Sequence, residues 1–240
     1  MTHPYSIIIP ARLDSTRLPR KVLLDIAGKP MLQHVVERAQ QSHAERVIVA
    51  TDSNEVRDVA EGFGATVCMT SDHPNGTSRV GDVVSQLSLA DETVVVTVQG
   101  DEPLLDPMIP DQLVALLHRH THAAVTSLCM PFSNAEDMQL PENVKVLMDI
   151  DGSAINFTRA VPVVGATQTL LQHIGLYCQT VGFLKKYLTM SHGEAEQREN
   201  LEQLRVLEHG YAIHMLPWHG APLIGVNTQA DLDAVREMMG

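Results

Sequence analysis

The chain opens on a short run, Tyr5-Ser-Ile-Ile-Ile9, that is almost wholly apolar and β-branched and ends at Pro10. Parallel strands, covered on both faces, read in this way. From Pro30 to His43 the period changes. Met31, Leu32, Val35, Val36 and Ala39 recur at helical spacing, with Glu37, Arg38, Gln40 and Gln41 on the other side, which predicts an amphipathic helix. Arg46–Ala50 predicts a second strand, and Asp52-Ser-Asn supplies capping residues ahead of a helix from about Glu55 to Phe63 that stops at Gly64.

The alternation continues through a strand at Ala65–Cys68, a turn-rich stretch at Ser71–Gly76, a helix through Val80 to Leu87 and a strong strand at Thr93–Val98. A helix over about Pro110–His120 leads to a strand at Ala123–Met130. Strands that alternate with helices predict a parallel sheet joined by right-handed crossovers. Beyond this point Asn143–Asp149, Ser153–Thr158 and His173–Cys178 read as β segments with fewer helices between them, and helices are predicted again at Glu196–Glu208 and Thr228–Met239. The expected fold is therefore α/β, with a mainly parallel mixed sheet flanked by helices and a smaller α+β region in the second half.

Composition narrows the function classes. The 240 residues are 44% hydrophobic and 19% charged, enough to bury a core. The formal net charge of −12 offers no basic face for duplex DNA or an anionic membrane. No apolar stretch approaches the ~20 residues of a membrane span, and the start of the chain has no signal-peptide pattern. The three cysteines, Cys68, Cys129 and Cys178, are scattered and lack a CxxC pair, which speaks against a disulfide scaffold or a zinc knuckle. The expectation is a cytoplasmic protein that binds neither nucleic acid nor membrane.

In open α/β sheets ligands gather beyond the carboxyl ends of the strands, and two loops placed there are unusual. The first, Pro10-Ala-Arg12-Leu-Asp14-Ser15-Thr-Arg17-Leu-Pro19-Arg20-Lys21, concentrates four cations in an acidic protein. Alone it would also read as a solvated connection. Guanidinium groups grip phosphate oxygens bidentately and an ammonium acts as a point charge, so such a loop can neutralise a triphosphate. The second, Gln99-Gly100-Asp101-Glu102-Pro103, sets a carboxylate at the end of a buried strand beside a glycine that admits a ligand.

Taken with Ala50-Thr-Asp52, Asn75-Gly76-Thr77-Ser-Arg79, Asn143-Val-Lys145-Val, Thr158-Arg159-Ala160, His173-Ile-Gly175-Leu-Tyr177, Leu201-Glu202-Gln203-Leu-Arg205 and Gly225-Val-Asn227-Thr228, these loops follow one order along almost the whole chain. The chain resembles the sugar nucleotidyltransferases, and more narrowly the 3-deoxy-manno-octulosonate cytidylyltransferase (CMP-Kdo synthetase) family. The resemblance implies a Rossmann-like nucleotidyltransferase fold and a Mg²⁺-dependent transfer of CMP from CTP to the sugar acid Kdo, for lipopolysaccharide biosynthesis, in a homodimer. It implies one domain over residues 1–240, with a CTP-binding half at about 1–130, a sugar-binding and dimerisation region at about 131–225 and a C-terminal helix at 226–240.

Residue by residue, the resemblance implies that Arg12, Ser15, Arg17 and Lys21 hold the triphosphate, and that Gly76, Thr77, Arg79 and Gln99 line the nucleoside pocket. Asp101 and Asn227 would take Mg²⁺, with Arg12, Lys21 and Asp101 as the catalytic set. Arg159 would meet the sugar carboxylate, and His173, Tyr177, Glu202 and Gln203 the sugar hydroxyls. Three departures from the family pattern stand out: Arg20 replaces a glycine, Asn227 replaces an aspartate, and Ala160–Thr169 is short and uncharged. They leave open a related sugar acid, such as 8-amino-Kdo, or a CTP-binding protein whose catalysis Asn227 impairs. Asp231 is near enough in sequence to be considered as the replacement carboxylate.

Overall fold

The computed structural model describes residues 3–15 and 17–240, so Thr16 of the cation-rich loop lies outside the described residues. The residues up to Asp111, together with Ala221–Gly240, form one unit and Gln112–Gly220 another. The first runs β1 (Tyr5–Pro10), a 3-10 turn at Lys21–Leu23, a hairpin of β2 (Asp25–Ile26) and β3 (Lys29–Pro30), α1 (Met31–Ala39), β4 (Arg46–Thr51), α2 (Asn54–Gly62), β5 (Thr66–Met69), α3 (Gly76–Gln86), β6 (Val94–Thr97) and the first residues of α4 (Met108–Arg119).

The sheet of this unit is parallel, in the order β6-β1-β4-β5. All six residues of β1 are buried, as its unbroken apolar run requires. The helices start where capping chemistry allows: the Ser53 side chain accepts from the Val56 amide ahead of α2, and that of Asn75 from the Ser78 amide ahead of α3. The chain leaves α2 through Gly64 at φ +84°, a left-handed conformation that glycine adopts without strain. Because β4 and β5 lie to one side of β1 and β6 to the other, the loops after β1 and β6 leave from adjacent strand ends. This is the reversal at which open sheets place ligands.

The second unit continues α4 and adds β7 (Ala123–Met130), α5 (Ala135–Gln139), β8 (Lys145–Met148), β9 (Ala154–Thr158), β10 (Thr169–Thr180), α6 (Val181–Thr189), α7 (Glu194–Glu199), α8 (Leu204–Glu208) and β11 (Ala212–Pro217). Its strands are ordered β11-β7-β10-β8-β9, parallel between β11 and β7 and antiparallel elsewhere. Phe157, Tyr187, Val206, Ile213 and Met215 are central to its core. The continuous helix expected over Glu196–Glu208 is instead two helices. Asn200 adopts φ 52°, a left-handed C-cap that asparagine tolerates, and Leu201 turns inward to a buried position, so Glu202 and Gln203 lie in the turn between α7 and α8.

The chain then returns to the first unit and ends in α9 (Gln229–Met239). Leu232 and Val235 of that helix join Leu18, Ile26, Met31, Leu104 and Val226 in one core. Leu18 and Val226 flank two loops that carry expected site residues, so this packing fixes both loops from below. Among the described residues no helix is long and apolar enough to cross a membrane.

Candidate active site

The loops after β1 and β6, the start of α3 and the segment before α9 enclose a cleft of ≈ 300 Å³ in the first unit. Arg12, Ser15, Arg17, Lys21, Gly76, Arg79, Gln99, Asp101 and Asn227 line it, whereas Thr77, one residue into α3, does not. Two glycines allow the walls to close. A Cβ on Gly100 would stand 3.1 Å from the Pro10 carbonyl oxygen, and one on Gly76 3.1 Å from the Pro10 ring, so a side chain at either position would press on the end of β1.

The charges are arranged in depth. Arg12 and Arg17 are exposed at the rim, while the Lys21 and Asp101 side chains are only 14% and 23% exposed and form an ion pair. The Asn227 Oδ1 accepts from Arg17 at 3.0 Å and lies 3.4 Å from the Lys21 ammonium, so the Asp101 and Asn227 oxygens converge on one cationic point. Asp231 does not join them. Its carboxylate accepts from the backbone amides of Asn227 and Thr228 at 2.9 and 2.8 Å, as the carboxylate half of a capping box at the start of α9.

Arg79 lines the cleft while its guanidinium is held from behind. It is 2% exposed, donates to Asp52 at 2.9 Å and to the Thr70 hydroxyl at 2.6 Å, and so braces the start of α3 against the ends of β4 and β5. Arg20 adopts φ 57° and ψ 27°, the left-handed conformation expected for the glycine it replaces, and its guanidinium pairs with Glu55.

In the second unit four side chains form a directional hydrogen-bond chain. The Ser127 hydroxyl donates its only proton to the Leu176 carbonyl at 2.7 Å, so the His173 Nε2, 2.9 Å away, must carry hydrogen and donate to Ser127. The Nδ1 is then an acceptor for the Gln203 amide at 3.4 Å, and the Gln203 Oε1 accepts from the Tyr177 hydroxyl at 3.4 Å. Burial drives the His173 imidazole down to about 3. Burial, and then the neighbouring Glu202 and Tyr187, push the Tyr177 phenol well above its ordinary value, so it remains a donor. A register shift creates this alignment: β10 bulges by two residues between Ile174 and Tyr177, which keeps His173 and Tyr177 opposite Cys129 and Ser127 on one face and frees the Leu176 carbonyl.

Arg159 stands at the end of β9, half-buried, with Nε 2.8 Å from the Glu199 carbonyl, Nη1 3.1 Å from that of Pro141 and Nη2 3.3 Å from that of Asn200. Its own carbonyl accepts from Lys145, which is fully buried and also donates to the Leu140 carbonyl at 2.6 Å. Glu202 follows Leu201 in the turn between α7 and α8, beside Tyr177 and Tyr187.

The Cytidylyltransferase family model matches residues 6–213 of this chain. A 3-deoxy-manno-octulosonate cytidylyltransferase of Actinobacillus pleuropneumoniae serotype 5b (strain L20) is 45% identical over 98% of this chain and 99% of its own. The chain belongs to the 3-deoxy-manno-octulosonate cytidylyltransferase family. Another relative of that description, from Glaesserella parasuis serovar 5 (strain SH0165), is 44% identical over 98% of this chain and 97% of its own. Among solved structures, that of a CMP:2-keto-3-deoxy-manno-octonic acid synthetase complexed with CTP superposes with a TM-score of 0.88 at 36% identity, covering 98% of both chains.

Three residues of this cytidylyltransferase stand at these places without having been singled out from the sequence. Glu102, buried beneath Gly225, has its carboxyl raised to about 8 by burial first and by Asp101 second, with Lys21 opposing, so it is a neutral acid behind the Asp101 carboxylate at neutral pH. His73 lines the cleft and meets Asp82 at 2.9 Å. Lys145 anchors the backbone of Arg159. The Gln-Gly-Asp-Glu-Pro and Asn-Val-Lys-Val motifs carried the first and third in plain sight, but a burial-dependent role leaves no spacing pattern to read.

Proposed function

We infer that this cytidylyltransferase transfers the cytidylyl group of CTP to 3-deoxy-D-manno-octulosonate, giving CMP-Kdo and pyrophosphate for lipopolysaccharide biosynthesis. The observation that carries the reading is the cleft in which Arg12, Arg17 and Lys21 stand over Asp101 and Asn227. A triphosphate entering there meets cations at graded depth. Arg12, Arg17 and Ser15 hold its oxygens at the mouth, and Lys21, the most enclosed of them, is the charge that balances the pyrophosphate as it leaves. Prearranged charge of this kind favours the transition state because the groups need not reorganise when negative charge develops. Gly76 and Gln99 take the nucleoside, and Arg79 acts by fixing the start of α3.

The donor set fits Mg²⁺. Asp101 and Asn227 offer two hard oxygens at a point that already holds a cation, and Mg²⁺ typically adds water and phosphate oxygens to one or two such ligands. When bound it would neutralise the phosphates and polarise the one under attack. Asn227 supplies an oxygen without a charge, so metal affinity rests mainly on Asp101.

The sugar acid is read onto the second unit. His173, Tyr177, Gln203 and Glu202 offer the hydroxyls a set of oriented donors and acceptors, and a sugar carboxylate would compete with backbone carbonyls for Arg159. The protein is expected to act in the cytoplasm as a homodimer whose interface lies in the second unit, where Ile150, Ile155 and Val163 are exposed at 84%, 44% and 95%.

The test is pyrophosphate release from CTP and Mg²⁺ with a panel of sugar acids. Turnover with Kdo is expected. Turnover with 8-amino-Kdo and not Kdo would overturn the substrate, and CTP binding without turnover on any acid would indicate that Asn227 has disabled the chemistry.

A further inference from the structure

Three histidines that the nucleotidyl transfer does not use come together in the second unit. His120 directly follows α4 and opens the turn to β7, His122 directly precedes β7, and His214 lies on β11, the parallel neighbour of β7. Each can place one ligand atom within 4.8 Å of the other two. The imidazoles of His120 and His214 are stacked, with centroids 3.6 Å apart and planes at 19°, and His122 stands edge-on to His214 at 5.9 Å and 89°. His214 is 5% exposed, and its Nδ1 is buried with no hydrogen-bond partner.

A buried imidazole nitrogen without a partner is unfavourable unless something fills the vacancy. Two further groups bear on what would be accepted: Asp149 and Asp151, in the turn between β8 and β9, lie close enough to His214 to favour positive charge there. That turn is tied to the strand, since the Met215 amide donates to the Gly152 carbonyl at 2.9 Å and Gly152, at φ +87°, lets its backbone pass against the His214 ring.

We propose that His120, His122 and His214 form a site for a borderline-soft divalent transition metal, Zn²⁺ by preference, which clips the turn after α4 to β11. Three imidazoles are a complete protein donor set for Zn²⁺ with a fourth position for water, and nitrogen-only ligation selects against Mg²⁺, so the ion of the nucleotide cleft does not compete. The stacked pair cannot both aim in-plane lone pairs at one ion, so His120 must turn out of the stack. It is half-exposed and follows the last turn of α4, so its ring can turn without opening the core. The site lies near the amino end of β7, away from the carboxyl ends where open sheets bind substrate. Its ion is therefore a structural clip, not a reactant.

The test uses untagged full-length protein, stripped with a chelator and freed of Mg²⁺ and nucleotide. Zn²⁺ is titrated calorimetrically, and Co²⁺ is followed by the visible absorption of a tetrahedral nitrogen site. One ion per chain at micromolar concentration is expected, together with a rise in Tm, because an ion that binds only the folded state stabilises it. His122→Ala, at an exposed position, keeps the fold and the Mg²⁺-supported turnover. It should weaken Zn²⁺ binding by at least the roughly tenfold loss caused by removing even an outer partner of a metal ligand. His120→Ala should do the same. No binding at micromolar Zn²⁺ would leave the cluster as an aromatic stack only and overturn the proposal, as would binding of equal strength and stoichiometry in both variants.

Discussion

The nucleotide cleft and the His173 chain solve the same problem, holding polar groups in place for a ligand, by opposite means. In the cleft the groups are charged, loop-borne and partly open to water: Lys21 and Asp101 pair, and Arg12 and Arg17 stand exposed. In the second unit they are neutral, largely buried and, Gln203 apart, strand-borne, and each is fixed by handing one hydrogen to the next. Charges accept a ligand by exchanging a protein partner for a phosphate, which needs solvent access and little structural change. Neutral buried donors and acceptors can discriminate hydroxyl geometry, since an unmatched one is left without a partner. The first arrangement suits the common part of the reaction and the second the specific part.

The largest effect expected of this contrast is on the charged side. Lys21→Ala removes the most enclosed cation and leaves Asp101 without its partner, and kcat should fall by about 10²–10³, the range for losing one prearranged stabilising group. Steady-state pyrophosphate release measures it. A change confined to KM for CTP would place Lys21 in ground-state binding instead.

The neutral side is broken by acid. His173 is depressed from its ordinary value to about 3 in the folded protein. The unfolded chain therefore binds the proton more readily, and the stability this confers is full above about pH 6.5 and lost as pH falls toward 3. Between pH 7 and pH 4.5 the loss attributable to His173 is about 3 kcal/mol at 1.36 kcal/mol per unit. Urea unfolding at the two pH values should show it in the wild type and a much smaller loss in His173→Gln. Equal losses would mean that water reaches His173 and that the chain is not sealed.

A smaller effect separates the two kinds of oxygen in the cleft. Asn227→Asp adds a charge where Asn227 now meets Arg17 and Lys21, and should tighten Mg²⁺ binding about tenfold, or ~1.4 kcal/mol. The Mg²⁺ dependence of turnover reads it, and an unchanged midpoint would place the ion away from residue 227.

The two regions were not equally legible in the sequence. The cleft was visible because its parts are loops at strand ends: the cations after β1, the carboxylate after β6 and the Asn-Gly start of α3 are consecutive residues whose chemistry needs no knowledge of burial. Most strands and helices of the first unit could be read for a similar reason, since full burial writes continuous apolar runs and helices write a 3.6 period. The 3-10 turn and the β2–β3 hairpin were too short to carry a period. In the second unit the alternation placed His173 and Tyr177 on one face, but the two-residue bulge that frees the Leu176 carbonyl has no pattern, and neither does the partnership with Ser127, 46 residues away. The helix expected over Glu196–Glu208 failed at Asn200, where a left-handed cap and the burial of Leu201 overrode propensity. β11 and α6 passed unread among mixed polar and apolar residues.

Arg20 offers the finest test of how rigid the charged region is. Its departure from glycine was legible, and the backbone stands at φ 57°. A left-handed residue with a Cβ carries about 1–2 kcal/mol of strain, which glycine avoids, but glycine also loses more conformational freedom on folding, by roughly 0.5–1 kcal/mol. Arg20 further holds Glu55 in an exposed ion pair, worth about 0.2–1 kcal/mol. Arg20→Gly alone therefore mixes three terms of similar size and should lie close to the wild type. Comparison with Arg20→Ala is cleaner, because both variants lose the Glu55 partner and only one keeps the strain. Arg20→Gly should be the more stable by about 0.5–1 kcal/mol in urea unfolding. Equal stability would show that the turn ahead of Lys21 relaxes once the Arg20–Glu55 pair is gone, so that the pair, rather than the backbone, sets the position of the Lys21 ammonium.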